Sequence, residues 1–343
     1  MILVIGEILF DIFPGYRRLG GAPFNFAFHL KKLGFPVRFF SRVGADKEGR
    51  DILNFLKSCK FDVGDIQIDP GYKTGHVTIE IDEKDEHHFY ICKNVAYDHI
   101  QFTPHLKALL EKKLDLIYFG TLIQRTIEGF STIQQVLSQR QMATTFCDLN
   151  LRPECWTMTS VNASLNQADI LKLNHEELFK IATYSDYDIA GAAQKIKAPE
   201  IKTPKAKSLG TIPAEVTTQD IVMMDRRKSL FLEKKSYHLF IHRLMKNYGL
   251  NAVILTHGKE GSEWFTRKEH HKRGPVKIPS VEDTVGAGDA YAAMAAACYL
   301  KGVPTENILS LASEFASRIC RIKGALPRKN DIYNVFRGKT GRS

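Results

Sequence analysis

The sequence predicts an α/β fold, with one doubly wound, mostly parallel sheet and helices on both of its faces. Short apolar runs typical of buried parallel strands alternate with helical patterns, and polar residues follow several of these runs. The chain has 343 residues, of which 44% are hydrophobic and 25% charged, and this suits one large α/β unit. We therefore expect residues 1–343 to form a single domain.

The predicted elements follow one another in regular order along the chain. Apolar runs predict strands over residues 1–5, 37–42, 116–119, 144–148, 170–173 and 252–256. Helical patterns lie between them, over residues 23–33, 48–58, 104–112, 127–140 and 237–248. Asp11, Asp148, Asn174 and Thr256 each stand after a strand. Because ligands bind beyond the carboxyl ends of the strands in such sheets, we expect these side chains on the rim of a ligand site.

One segment departs from this alternation. Residues 74–91 alternate with a period of two around a polar turn at 82–86, which predicts a β-hairpin. A hairpin that projects from an α/β core needs something to cover, although an ordinary edge hairpin would give the same pattern. We assign the projecting element to about 72–100, together with residues 12–20.

The basic charge of the chain is concentrated in one region. The formal net charge is +10, and between Lys195 and Lys246 there are twelve Lys or Arg residues against five Asp or Glu. Residues 197–207 resemble a flexible linker. We therefore predict a solvated basic insertion at about 196–236, which explains the charge more simply than a nucleic-acid-binding surface.

Composition also bears on the compartment. The six cysteines are scattered without a Cys-x-x-Cys pair, which favours a reducing environment. The apolar start at residues 1–5 lacks the basic region of a signal peptide, and no stretch of about 18 apolar residues exists. We expect a cytoplasmic protein without a membrane span.

The most informative segment lies near the C-terminus. Residues 283–289 read DTVGAGD and open a run of small residues at 290–297. Glycines at a helix start allow a ligand to approach the backbone, and helix N-termini favour anions through unpaired N–H groups and the helix dipole. The carboxylate of Asp289 beside an anion site is best explained as a general base that takes a proton from a hydroxyl. The alternative is a Gly-rich turn with an Asp cap.

A second glycine segment lies near the N-terminus. Residues 20–27 read GGAPFNFA and precede a helical pattern in which Pro23 suits the first turn. Asn25 lies off the apolar stripe of that helix, and its amide can both donate to and accept from a polyol. The alternatives are a local cap at Asn25 and a plain tight turn at Gly20 and Gly21.

Together the two segments resemble the paired signatures of the PfkB (ribokinase-like) carbohydrate kinases, in the same order along the chain. Within that family the chain is most similar to the fructokinase branch. Three further stretches support the resemblance, namely GEILFD at 6–11, DLNLRP at 148–153 and KLNHEE at 172–177. It spans nearly the whole chain except about 195–240, where the insertion is longer than the family leads us to expect.

The resemblance implies a ribokinase-like fold and an ATP-dependent sugar kinase that transfers the γ-phosphoryl group to a sugar hydroxyl. Asp289 matches the catalytic base, and the N–H groups of Gly286, Ala287 and Gly288 match the anion hole. The projecting hairpin corresponds to a small lid over the sugar, and lids in this family often pair between subunits, so a homodimer through the lid is an expectation.

The resemblance also assigns residues to the sugar and leaves one arginine ambiguous. The expected sugar-binding residues are Asp11, Gly20, Gly21, Asn25 and Arg152. The guanidinium of Arg152 could bind a sugar oxygen, pair with Asp148, or hold a substrate carboxylate. The last option points to a 2-keto-3-deoxygluconate kinase, which is the alternative to a fructokinase. Another PfkB-type sugar kinase and a non-catalytic sugar- or nucleotide-binding protein are further alternatives.

On the nucleotide side the resemblance implies ATP and Mg²⁺ as cofactors. Asn174 and Glu177 match an Asn-x-x-Glu element, in which Glu177 would order the water shell of Mg²⁺. The same spacing is a helix capping box, and both readings can hold together. Other residues expected near the nucleotide or a K⁺ ion are Thr256, Gly258, Gly261, Ser313 and, for the cation, Asp283.

Some features resemble motifs but predict nothing. Residues 338–340 read GKT without the earlier glycine of a phosphate-binding loop. The histidine pairs at 87–88 and 270–271 lack a metal-ligand spacing to cysteine or acid, and we expect them to be exposed.

Overall fold

The computed structural model describes residues 1–81, 87–185, 236–276 and 278–339, and for residues 81 and 87–89 it describes the backbone alone. The basic insertion predicted at 196–236 therefore lies outside the described residues except for its last position, as does the hairpin turn at 82–86.

The strands form two sheets. They are β1 (Ile2–Ile5), β2 (Leu9–Phe13), β3 (Tyr16–Gly20), β4 (Val37–Gly44), β5 (Ile66–Asp69), β6 (His76–Ile81), β7 (His87–Ile91), β8 (Leu116–Gly120), β9 (Thr144–Asp148), β10 (Ile170–Asn174), β11 (Ala252–Thr256), β12 (Ser262–Thr266) and β13 (His270–Arg273). In the described chain the large sheet has the order β13-β12-β11-β10-β9-β8-β1-β4-β5. Its strands pair in parallel from β5 to β11, and β12 and β13 add an antiparallel edge.

Helices cover both faces of the large sheet. They are α1 (Ala22–Lys32), α2 (Lys47–Ser58), α3 (Pro104–Leu110), α4 (Ile127–Ser138), α5 (Met158–Gln167), α6 (His175–Tyr184), α7 (Ser236–Tyr248), α8 (Ala287–Leu300), α9 (Thr305–Ile319) and α10 (Asp331–Arg337). Successive residues of β1 enter different apolar cores, Val4 with α1, α8 and α9, and Leu3 with α3 to α7. Successive side chains of a strand point to opposite faces of the sheet, so both faces of β1 are buried under helices. This confirms the predicted doubly wound α/β class.

The small sheet has the order β3-β2-β6-β7. Leu9 and Phe13 of β2 pack with Val77 and Ile79 of β6 in a separate apolar cluster. The exposed residue Ile12 is opposite Thr78, which is opposite Tyr90, so these three share the other face. One face of the small sheet is therefore apolar and turned toward the body of the protein.

The predicted strands and helices coincide with observed elements, but several observed elements carry no clear signal in the sequence. Strand β12 reads Ser-Glu-Trp-Phe-Thr, with no regular alternation of polar and apolar residues. Helix α5 is rich in polar and small residues. Both depend on tertiary burial more than on local pattern. Among the described residues no helix combines the length and apolarity needed to cross a membrane.

Candidate active site

A cavity of about 830 Å³ lies between the small sheet and the carboxyl ends of the central strands. Most of the predicted site residues line it, although they come from distant parts of the sequence. These residues are Asp11, Gly21, Asn25, Arg152, Asn174, Glu177, Thr256, Gly286, Gly288 and Asp289. The cavity therefore brings the sugar-side, nucleotide-side and catalytic predictions into one cleft, as the rim argument expects.

Helix α8 begins at this cleft. Its N-cap is Gly286, whose φ of 76° lies in the left-handed region and whose added Cβ would lie 2.2 Å from the Cβ of Ala325. Only glycine fits such a position. The Ala287 N–H donates to the Thr284 carbonyl at 3.3 Å, and Ala287 does not line the cavity. Of the three predicted anion-hole residues, Gly286 and Gly288 therefore face the cleft.

Asp289 is the third residue of α8 and is partly buried. Its Oδ2 accepts a hydrogen bond from Asn25 Nδ2 at 2.8 Å, which joins the two glycine segments through their polar residues. Burial, reinforced by the charge of Asp148, raises the pKa of Asp289 to about 6, against the opposing effects of Asn25 and Lys172. A carboxylate with a pKa near neutrality and one oxygen facing a cleft is suited to general-base catalysis.

Sequence reasoning missed a buried ion pair beneath the helix start. Lys172 Nζ donates to both carboxylate oxygens of Asp148, at 2.8 and 2.9 Å, and Tyr118 OH donates to Asp148 Oδ2 at 3.2 Å. Burial lowers and the charge of Asp148 raises the pKa of Lys172, with a net rise, so the lysine stays charged. An added Cβ on Gly288 would be 3.7 Å from Lys172 Nζ, which places this cation beside the helix N-terminus. In the sequence, the sign of this ion pair was a lysine inside an otherwise apolar strand.

On the small-sheet side, two acidic residues line the cleft. Burial raises the pKa of Asp11 to about 6 and that of Glu7 to about 7, and in both cases Arg152 opposes the shift. Glu7 Oε2 is buried and has no hydrogen-bond partner in the structure. Glu7 was not among the predicted site residues. Its signal was a carboxylate directly after the first buried strand.

Gly20 and Gly21 allow this side of the cleft to close tightly. An added Cβ on Gly20 would be 2.6 Å from Asp11 Oδ2, and one on Gly21 would be 2.6 Å from the Glu7 carbonyl oxygen. Gly21 also has a φ of 109°. Gly20 therefore leaves room for the carboxyl group of Asp11, and Gly21 leaves room for the backbone of Glu7.

Arg152 is exposed and lines the cavity. Of the alternatives drawn from the sequence, pairing with Asp148 is not seen in the described part of the chain, where Lys172 and Tyr118 donate to that carboxylate. The guanidinium remains positioned to meet a ligand that enters the cleft.

The predicted capping box at the start of α6 is present. Asn174 Oδ1 accepts from the Glu177 N–H at 2.9 Å, and Glu177 Oε2 accepts from the Asn174 N–H at 2.8 Å. Glu177 Oε1 accepts from the Leu151 N–H at 2.8 Å. Each carboxylate oxygen retains a second lone pair, so the residue can also orient a water in the cleft.

The remaining nucleotide-side predictions fall around the cavity and only partly within it. Thr256 lines it, whereas Gly258, Gly261 and Ser313 are not among its lining residues. Gly261 has a φ of 108°, and its added Cβ would be 2.1 Å from the Arg273 carbonyl oxygen. That glycine is required by the turn into β12, whatever else it contacts.

Asp283, the residue predicted to lie at a monovalent-cation site, is hydrogen-bonded within the chain. Asp283 Oδ2 accepts from Arg18 Nη1 at 2.6 Å and from the Gly324 N–H at 2.9 Å, while Oδ1 accepts from the Val285 N–H at 3.0 Å. Burial alone would raise the pKa of Asp283, but these hydrogen bonds and the charge of Arg18 lower it, and the net change is a decrease. The carboxylate is therefore charged and paired. The cation site near Asp283 stays a prediction.

The chain is similar in sequence to known proteins. A family model described as "pfkB family carbohydrate kinase" matches residues 16–210 and 227–330. The chain is 23% identical over 372 residues to the fructokinase of Salmonella typhimurium, covering 98% of this chain and 99% of that protein. It is also 23% identical over 310 residues to a 5-dehydro-2-deoxygluconokinase of Halalkalibacterium halodurans, covering 88% of this chain and 79% of that protein.

A solved structure shares the fold. A fructokinase with bound ATP from Xylella fastidiosa superimposes with a TM-score of 0.73 at 18% identity, over 99% of this chain and 98% of the other. At this identity the likeness concerns the architecture of the two sheets and their helices.

Proposed function

This chain belongs to the PfkB family of carbohydrate kinases and is an ATP-dependent sugar kinase, and from that premise we propose that its acceptor is a neutral ketohexose, with fructose as the first choice. The observation that carries the proposal is the shared cleft, in which Asp289 at the start of α8 lies with Asp11 and Asn25 of the N-terminal segments. In this arrangement the general base, the helix N-terminus and the acceptor-binding groups can all act on the same hydroxyl of the acceptor.

The proposed reaction is an in-line phosphoryl transfer. The acceptor oxygen bonds to the γ-phosphorus of ATP as the bond between that phosphorus and the bridging oxygen breaks, and ADP leaves. Asp289 takes the hydroxyl proton, and its raised pKa brings it close to the pH at which a general base is most effective. The N–H groups at Gly286 and Gly288, with the charge of Lys172, stabilise negative charge on the transferred group.

The charge distribution of the cleft supports a neutral acceptor. Glu7 and Asp11 line its small-sheet side, where they can accept hydrogen bonds from hydroxyl groups. An anionic acceptor would meet these carboxylates unless its own charge were held elsewhere. Polyol hydroxyls are therefore favoured as donors to this wall.

The proposal includes Mg²⁺, which would neutralise charge on the ATP phosphates when bound. Glu177 would hold it through water, as its remaining lone pairs allow. The proposal keeps a K⁺ ion near Asp283 as an additional cofactor and not as a required one, since Arg18 already pairs with that carboxylate.

A second candidate acceptor is a sugar acid, and Arg152 favours it. This exposed guanidinium lines the cleft and can bind a carboxylate in a bidentate manner. The relative from Halalkalibacterium halodurans is named for a sugar-acid acceptor. A 2-keto-3-deoxygluconate or 5-dehydro-2-deoxygluconate kinase is thus the alternative.

The test is a steady-state assay of ADP release with ATP, Mg²⁺ and a panel of fructose, ribose, 2-keto-3-deoxygluconate and 5-dehydro-2-deoxygluconate. We expect the highest kcat/KM with fructose, and Arg152→Ala should change it little. If a sugar acid is the best substrate and Arg152→Ala selectively raises its KM, the sugar-acid candidate replaces fructose. No acceptor-dependent ADP release with any member would contradict both acceptors.

We also propose that two copies pair through the outer face of the small sheet. Ile12 is 38% exposed and Tyr90 is 55% exposed on that face, with Thr78 between them. Large exposed apolar side chains grouped on one sheet face favour association. Sedimentation of the chain and of an Ile12→Lys variant measures this directly, and a monomeric parent chain would contradict it.

A further inference from the structure

A second cluster of ionisable side chains lies at the antiparallel edge of the large sheet, around Glu263 of β12. The Glu263 side chain has no exposed surface, yet it is a carboxylate in the interior. Side chains from three other elements converge on it, namely His238 of α7, His270 of β13 and His257 after β11. This arrangement has no part in the phosphoryl transfer proposed above.

One oxygen of Glu263 faces two imidazole nitrogens. Its Oε2 lies 2.7 Å from His270 Nε2 and 3.2 Å from His238 Nε2, and the ligand atoms of all three side chains lie within 4.8 Å of one another. Zinc bonds of about 2.0–2.2 Å to nitrogen and oxygen place tetrahedral ligand atoms roughly 3.3–3.5 Å apart. The 3.2 Å contact already lies close to this spacing, and the 2.7 Å contact would have to open by roughly 0.6–0.8 Å to admit a metal ion among these atoms.

His238 supplies an independent observation. Its Nε2 is buried, and its 3.2 Å approach to Glu263 lacks the alignment of a hydrogen bond, so it has no hydrogen-bond partner in the structure. A buried ring nitrogen that faces a carboxylate without a well-aligned hydrogen bond is incompletely satisfied. A metal ion would use its lone pair and that of His270 together.

The other oxygen of Glu263 is held separately. Its Oε1 accepts from Tyr237 OH at 2.8 Å and lies within hydrogen-bond distance of His257 Nε2, at 3.0 Å. Burial raises the pKa of Glu263, but these groups and the facing imidazoles lower it well below its ordinary value, so the carboxylate is charged. Outer partners that fix the orientation of a ligating carboxylate are characteristic of protein metal sites.

We propose that His238, Glu263 and His270 bind a Zn²⁺ ion through Nε2, Oε2 and Nε2. Two histidines and one carboxylate form a donor set typical of zinc, with a fourth position left for water. Any proton on either Nε2 leaves for Nδ1 or for solvent when the ion binds. The bound ion joins the start of α7 to the β12–β13 edge, and His257 connects it to the turn at 257–261, which follows the cleft residue Thr256.

The spacing argument from sequence could not find this site. The pair at 270–271 has no acid or cysteine at a metal-ligand spacing, and the three ligands stand 25 and seven residues apart on three elements. His270 is exposed as expected, but it lies against a buried carboxylate. Only the pairing of β12 with β13 and the position of α7 bring the set together.

The test is direct zinc binding by the full chain after treatment with a chelator. Titration calorimetry with ZnCl₂ should show one site, and Co²⁺ in its place should give the intense visible absorption of a tetrahedral complex. His238→Ala and His270→Ala should each weaken zinc binding by more than the roughly 10–100-fold that loss of an outer partner causes, and His257→Ala should weaken it within that range.

The matched control is His271→Ala, which removes the adjacent histidine of β13, whose own partner is Glu269 at 3.2 Å. It should bind zinc as the parent chain does. An absence of saturable binding, or unchanged affinity in the His238→Ala and His270→Ala double variant, would show a hydrogen-bonded charge cluster only. If those variants do not fold, an octahedral Co²⁺ spectrum of the parent chain would equally contradict the proposal. None of these readouts depends on kinase activity.

Discussion

Two acidic residues occupy the same position in two helices that begin at the same cleft, but their carboxylates have different hydrogen-bond partners. Asp289 is the third residue of α8, Glu177 is the third residue of α6, and both line the cavity. Both oxygens of Glu177 accept backbone N–H groups. Asp289 instead accepts from the side chain of Asn25 through one oxygen.

The residue that caps each helix accounts for the difference. Asn174 caps α6 with its own side chain and receives Glu177 in return, which is a reciprocal capping box. Gly286 caps α8 with no side chain, and its left-handed backbone begins the helix without engaging Asp289. A glycine cap has no side chain to engage Asp289 and so leaves that carboxylate available to a ligand, whereas the asparagine cap commits the Glu177 N–H and the Glu177 carboxylate to the capping box.

The largest expected effect comes from removing the carboxylate of Asp289, which takes no part in a capping box. Asp289→Asn should lower kcat by about 10²–10⁴-fold, because it removes the general base while keeping a similar shape. ATP binding measured by calorimetry should change little. Glu306→Gln is the matched control, since Glu306 is an exposed first-turn carboxylate of α9. Its kcat should equal that of the parent chain, and a fully active Asp289→Asn enzyme would refute the base assignment.

An intermediate effect is expected from pH. The base acts when deprotonated, and the pKa of Asp289 is raised to about 6, so activity should be lost as pH falls through that value. Below about pH 6, kcat/KM should fall roughly tenfold per pH unit. Asp11 and Glu7, with pKa values of about 6 and about 7, titrate in the same region and will broaden the limb. A kcat/KM profile that stays flat from about pH 5 to pH 8 would contradict this assignment.

The smallest effect should come from Asn174, which caps α6 and forms the capping box with Glu177. Asn174→Ala removes the acceptor of the Glu177 N–H and should lower the free energy of unfolding by about 0.5–2 kcal/mol in urea titrations. Thr157→Ala removes the corresponding cap of α5 and should have a similar effect on stability. Only Asn174→Ala should also reduce kcat/KM, since only its helix borders the cleft. Equal kinetics in the two variants would give Asn174 a purely structural role.

The parts of the site that could be predicted from sequence are those with local signals. Gly286, Asp289 and Asn25 stand in short segments whose helix-start pattern is visible without the fold. The rim residues Asp148 and Asn174 followed from their places after strands.

The parts that could not be predicted depend on contacts between distant elements. Lys172 is an unusual residue in an apolar strand, and only the parallel pairing of β9 with β10 shows that it neutralises Asp148. The partner of Asp283 is an arginine 265 residues earlier in the chain. No periodicity or spacing rule identifies such pairs.

The bond between Arg18 and Asp283 has a mechanical consequence. Arg18 belongs to the small sheet, and Asp283 lies in the segment that leads into α8. A rotation of the small sheet that kept this bond would move that segment with it. With the bond intact, opening the mouth of the cleft would also displace the start of the helix that carries Asp289.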